Sequence, residues 1–200
     1  MNAELIFVGS ELLSGKTVNT NASYISKKLQ ELGHNCYMQY VVDDNKARII
    51  DTLTTALSKS NLIIVSGGLG PTADDITKEA VCEALGLELV ENAKCKKHLE
   101  DYFERLGKTP TPNNFKQTTA PRDAVIFPND KGTACGIGIE YGKRRIILLP
   151  GPPKELTYMF DSYIAPYLKK SSAVCVESQT LNVFGMGESA IETIIRPVCN

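Results

Sequence analysis

NLIIVSGGLGPTADDIT, residues 61–77, passes from an apolar run through three glycines and a proline into two adjacent aspartates. Its first six residues read as a β-strand buried on both faces, because Leu62 to Val65 offer water no polar side. Residues 74–85 read as a helix stopped by Gly86. A strand of this kind leading into a helix belongs to a parallel sheet with helices on both sides.

The same alternation extends in both directions. Upstream, AELIFVG reads as a strand, and Ala22, Ile25, Leu29 and Leu32 share one helical face that Gly33 ends. CYMQYVV follows as a second strand, with Asp44 or Asn45 capping a helix whose inner face is Ile49, Ile50, Leu53, Ala56 and Leu57. Downstream, residues 94–106 read as a helix, and AVIFP, GIGIEYG and RRIILLP as strands separated by NDKG and GK, which suggests a hairpin. PGPP then bends the chain into KELTYMFDSYIAPYL, a helix with Leu156, Met159, Phe160 and Tyr163 turned inward. The expected fold is α/β, a three-layer doubly wound mostly parallel sheet with an antiparallel edge, whose ligands gather at the carboxyl ends of the strands. Residues 1–170 form this domain, while 171–200 offer one strand and one helix, an appendage or the start of a small second α+β domain cut short.

Charge narrows the partners. The chain carries 22 basic and 23 acidic residues with no long run of either sign, so it shows no footprint for nucleic acid or an anionic membrane. Small molecules are the expected partners. The amino-terminal apolar run contains Glu4 and is too short for a signal peptide or a membrane span, which points to the cytoplasm. Six cysteines without a C-x-x-C pair read as reduced thiols, and His34 and His98 as structural.

Two motifs mislead. Gly15-Lys16-Thr17 ends like a phosphate-binding P-loop, but Glu11, Leu12 and Leu13 stand where small residues should expose amides. Gly68, Gly70 and Ala73 spell a dinucleotide fingerprint with Glu88 and Glu91 downstream, yet Asp74 and Asp75 would face the pyrophosphate and the motif follows the third strand. Capping offers a plainer reading, since Thr72 and Asp75 have capping-box spacing and first-turn acids gain about 0.3–1 kcal/mol each from the helix dipole. That account leaves Gly67, Gly68 and Gly70 in excess. A ligand phosphate held by loop amides, with a divalent cation carried by the aspartates, accounts for both features.

FVGSELLSG-x-x-VNTN, VVDDN, GGLGPTADDIT, TPNN-x-KQ, LLPGPPKEL and FGMGES occur in this order, and in them the chain resembles the amino-terminal part of the CinA family (competence/damage-inducible protein A). The resemblance covers essentially the whole chain and implies a molybdopterin-binding-domain-like fold. It further implies a metal-dependent pyrophosphatase acting on ADP-ribose and FAD, and a dimer or larger homo-oligomer. The resemblance implies as well that the amidohydrolase domain usual at the carboxyl end of full-length members is missing here, and FGMGES resembles the start of their small middle domain. One departure is Cys135 in GTACG, where the family commonly has proline.

Asp75 is expected to bind the metal or activate water, with Asp44 and Lys78 beside it in catalysis, although Asp44 could equally cap a helix and Lys78 could be a solvated helix residue. Asp74 and Glu11 join Asp75 as metal ligands. Gly67, Gly68, Gly70 and Thr72 would hold phosphate. Asn19 and Asn21 flank a helix start where capping explains one of them, leaving the other to read a base, ribose or pterin edge. Asn113, Asn114, Lys116 and Gln117 form a dense polar cluster, and Gly151, Pro152 and Glu155 stiffen and arm the loop after the last strand. Metal-assisted hydrolysis of a dinucleotide pyrophosphate is the first reading. A non-catalytic molybdopterin- or nucleotide-binding module is its rival, and a nicotinamide oxidoreductase a third.

Overall fold

The computed structural model describes residues 2–169 and 182–198. Strand β1 (Asn2–Val8) leads through the short helix α1 (Ser10–Leu13) to α2 (Thr20–Glu31), followed by β2 (Asn35–Val42), α3 (Lys46–Lys59) and β3 (Leu62–Ser66). Helix α4 (Thr77–Leu85), strand β4 (Leu89–Glu91) and α5 (Ala93–Arg105) precede a 3-10 segment at Pro112–Thr118 and strand β5 (Thr119–Pro121). Strands β6 (Val125–Phe127), β7 (Gly136–Tyr141) and β8 (Arg144–Leu149) then complete the main sheet. Its order is β2-β1-β3-β8-β7-β6, parallel from β2 to β8 and antiparallel at β7 and β6. The expected mostly parallel sheet with an antiparallel edge is therefore present.

The apolar runs are explained by burial on both faces. Ile63 and Val65 of β3 pack with Ile6, Ile146 and Leu148 against α3 and α4, through Ile49, Leu53, Ala80 and Val81. Leu62 and Ile64 pack with Leu5, Phe7 and Ile147 against α2 and the helical segment after β8, through Ile25, Leu29, Leu156 and Phe160. Successive residues of one strand thus enter different cores.

Local departures from the expected elements have physical causes. Helix α4 starts at Thr77 rather than Asp74, so the two aspartates precede the helix instead of forming its first turn. Strands β4 and β5 pair antiparallel as a separate two-stranded sheet, three residues each and too short to show a period. The helix after PGPP is α6 (Pro153–Met159), a π-helical turn at Phe160–Ile164, then α7 (Ala165–Lys169). The wider turn shifts the buried face to Ile164 and Leu168 and leaves Tyr163 half-buried, its hydroxyl donating to Asp130 at 3.1 Å. A last helix, α8 (Glu188–Ile195), follows; the strand expected from Val174 lies outside the described residues. Cys36, Cys82, Cys95 and Cys135 are free thiols, and among the described residues no helix is long and apolar enough to cross a membrane.

Candidate functional site

The carboxyl ends of β1, β3 and β8 meet at one edge, where the Gly67 amide donates to Leu149 O at 3.0 Å. Gly67 (φ 107°) and Gly68 (φ 66°) turn the chain there in the left-handed region. A Cβ at Gly67 would lie 2.1 Å from Val8 O, and one at Gly68 2.2 Å from Thr77 Oγ1, so packing as well as φ demands glycine. The loop carbonyls are engaged: Gly67 O accepts from Thr77 Oγ1 at 2.8 Å, Gly68 O from Thr77 N at 3.2 Å, and Leu69 O from Gln117 Nε2 at 3.2 Å. The amides of Gly68, Leu69 and Gly70 make no backbone hydrogen bond among the described residues.

This loop forms one wall of a cleft of about 350 Å³. Four carboxylates line it: Glu11 on α1, Asp44 after β2, Asp75 after the glycine loop, and Glu155 on α6. No lysine, arginine or histidine does. Three of the four are held at one oxygen. Asp44 Oδ2 accepts from Ser10 N at 3.0 Å and Ser10 Oγ at 2.8 Å, and Asp75 Oδ2 from Thr72 N at 2.9 Å and Thr72 Oγ1 at 2.6 Å. Glu155 Oε2 accepts from Asn129 Nδ2 at 2.7 Å; burial raises its pKa above the ordinary carboxyl value, and the Asn129 bond offsets this in part.

Ten of the expected residues meet in this cleft: Glu11, Asp44, Asp75 and Glu155 with Gly67, Gly68, Gly70, Gln117, Gly151 and Pro152. The others do not line it. Lys78 corrects the reading of a catalytic or solvated lysine. It is 4% exposed, and its ammonium donates to Lys116 O at 2.8 Å, Thr119 O at 2.9 Å and Thr119 Oγ1 at 3.2 Å, joining α4 to the 3-10 segment. Burial holds its pKa below the usual lysine value. Asp74 is exposed outside the cleft and so does not join Asp75 and Glu11 there. Thr72 is exposed and serves Asp75.

The remaining polar residues build the frame. Asn19 caps α2 by accepting from Ala22 N at 3.1 Å. With Asn19 as the cap, Asn21 is the amide left over, and it is 8% exposed and donates to Gly151 O at 2.8 Å, tying α2 to the loop after β8. Asn114 completes the cap of the 3-10 segment by accepting from Thr111 N at 2.9 Å, and Asn113 accepts from Thr111 Oγ1. Lys116 donates to Asp75 O and to Thr72 O at 3.3 Å and pairs with Glu79 at 3.3 Å, bracing the turn before α4. Asn45, not Asp44, caps α3, accepting from Arg48 N at 3.2 Å. Sequence reasoning missed Thr133 and Ala134 as cleft lining and Asn129 as their support, which donates to Ala134 O at 2.9 Å. The GTACG stretch was the available signal, but it carries no charged side chain.

Among the described residues no three His, Cys, Asp or Glu side chains gather closely enough to hold a metal ion alone. The donor set still fits a hard divalent cation of the magnesium kind, which takes one or two carboxylates and completes its shell with ligand phosphate oxygens and water.

The family model described as "Probable molybdopterin binding domain" matches residues 4–170. A competence-damage inducible protein of Thermoanaerobacter sp. (strain X514) is 49% identical over 198 residues, 99% of this chain and 48% of its own length. Another, from Clostridium novyi (strain NT), is 44% identical over 195 residues, 98% of this chain and 47% of its own. The chain thus spans about half the length of the curated relatives it matches. Among solved structures, the protein CinA from Thermoplasma acidophilum, described as of unknown function, has TM-score 0.78 at 33% identity, over 83% of this chain and 98% of that one. A molybdopterin biosynthesis protein from Mycobacterium abscessus has TM-score 0.58 at 15% identity, over 85% and 92%, a likeness of fold alone. With the motifs, the structural likeness and the matched span in agreement, the chain belongs to the molybdopterin-binding-domain family as a CinA-like member.

Proposed function

We propose that the cleft binds the phosphate portion of a nucleotide or pterin together with a divalent cation. One observation carries this reading: amides without backbone partners share a cleft with four carboxylates and no basic side chain. Bare carboxylates repel a phosphate, and a cation between them reverses that sign. Of the cleft acids, Asp75 and Asp44 would hold it, each bound to the protein through one oxygen. The cation would neutralise phosphate charge; the protein's own part is to bring loop amides and carboxylates into one cleft. Calorimetric titration with ADP-ribose, with and without magnesium, tests this. Saturable binding that needs the cation supports it, and no binding in either condition rejects it.

A second reading, hydrolysis of the pyrophosphate bond of ADP-ribose or a related dinucleotide such as FAD, is favoured by Glu155. A half-buried cleft carboxyl with a raised pKa has the character of a group that moves protons. In that reaction water adds to one phosphorus, the bridging oxygen departs with the other phosphate, and two monophosphates form. Chromatographic detection of AMP from ADP-ribose separates the readings: AMP supports hydrolysis, and saturable binding without AMP leaves a binding module.

A further inference from the structure

We propose that Thr77 is a positioning residue that shapes residues 67–70 into a receptor for a phosphate oxygen, an inference that rests on the anion-binding reading above. Thr77 is fully buried and does not line the cleft; Gly67, Gly68 and Leu69 do. It holds two consecutive peptide groups from behind, its hydroxyl donating to Gly67 O at 2.8 Å and its amide to Gly68 O at 3.2 Å.

In a trans peptide the carbonyl and the following N–H point in opposite directions. No peptide bond among the described residues is cis. Drawing both carbonyls towards Thr77 therefore turns the N–H groups of Gly68 and Leu69 away from it, towards the cleft. Two successive amides aimed the same way around a left-handed residue form an anion-binding concavity, and Gly68 (φ 66°) supplies that residue. The same arrangement accounts for Gly68, since a Cβ there would strike the Thr77 hydroxyl at 2.2 Å. It also accounts for the late start of α4, whose first residue gives its amide and hydroxyl to the loop. Gln117 extends the device by one peptide through Leu69 O. Its own Oε1 is buried without a partner among the described residues, so the bond to the loop is the one that fixes this side chain.

The test compares the wild type with Thr77→Val, which keeps the shape and loses the hydroxyl, and Thr77→Ser, which keeps the hydroxyl. Ile25→Val, in the core on the far side of the sheet, controls for lost stability alone. The readout is the Kd for inorganic pyrophosphate with magnesium, measured well below each melting temperature. Thr77→Val should weaken binding by about tenfold or more, the scale of one misaligned donor, with Thr77→Ser and Ile25→Val close to wild type. The inference is overturned if Thr77→Val binds pyrophosphate as the wild type does, or if Ile25→Val loses as much affinity. Pyrophosphate binding without turnover of ADP-ribose would sink the hydrolytic reading and leave this inference standing; a wild type that binds no pyrophosphate would sink the inference.

Discussion

Asn129 and Glu155, 26 residues apart, meet at 2.7 Å, and the same Asn129 amide group holds Ala134 O at 2.9 Å. The strand-to-strand loop beside β7 and the first turn of α6 are thereby locked into one wall of the cleft. Asn129 is fully buried, and a Cβ at Gly132 would come within 2.1 Å of Glu155 Oε2, so the carboxylate has little freedom.

The raised pKa of Glu155 sets a pH dependence. Because the folded-state value lies above the unfolded one, the stability linked to its protonation is present below the ordinary carboxyl pKa and lost as pH rises through the raised value. Glu155→Gln should therefore melt higher than the wild type at neutral pH, and the gap should close in acid. Melting curves from pH 4 to pH 8 check this; a gap that widens in acid would show that burial does not govern this carboxyl.

Asp75→Asn keeps an acceptor for Thr72 N and Thr72 Oγ1 and removes the charge. It should melt within a few degrees of the wild type while cation-dependent affinity for ADP-ribose falls about tenfold to a hundredfold. Equal affinity with an unchanged melt would confine Asp75 to holding its own turn.

Lys78→Met should act on stability and not on ligand chemistry. Removing the buried ammonium takes its bond from Thr119 O, at about 1–3 kcal/mol for a buried group left unmade, while Lys116 O keeps the Thr119 hydroxyl at 3.0 Å. Thermal melts should drop by several degrees, with ADP-ribose affinity at low temperature nearly retained. A lost affinity with an unchanged melt would return Lys78 to the site.

Much of the sheet was legible because β1, β3 and β8 are buried on both faces and so read as continuous apolar runs. The cleft acids were legible for a related reason: Asp44 and Asp75 stand where strands deliver their loops, at the carboxyl edge. What escaped was set by contacts distant in sequence. Nothing local distinguishes Lys78, whose carbonyl partners lie 38 and 41 residues away, from a solvated helical lysine. Asn21 read as a spare amide because its partner, Gly151 O, is 130 residues distant. The start of α4 was misplaced because Thr77 is claimed by the glycine loop, a tertiary demand that overrides the capping pattern at Thr72 and Asp75.

The proposed ligand binding depends most directly on a cation. Titrating ADP-ribose into the purified chain with magnesium, after chelation, and after magnesium is restored tests it in one calorimetric series. The predicted result is saturable binding that disappears on chelation and returns with the metal. Equal affinity before and after exhaustive chelation would contradict the central claim, because four cleft carboxylates and an anion would then share the site with no charge between them.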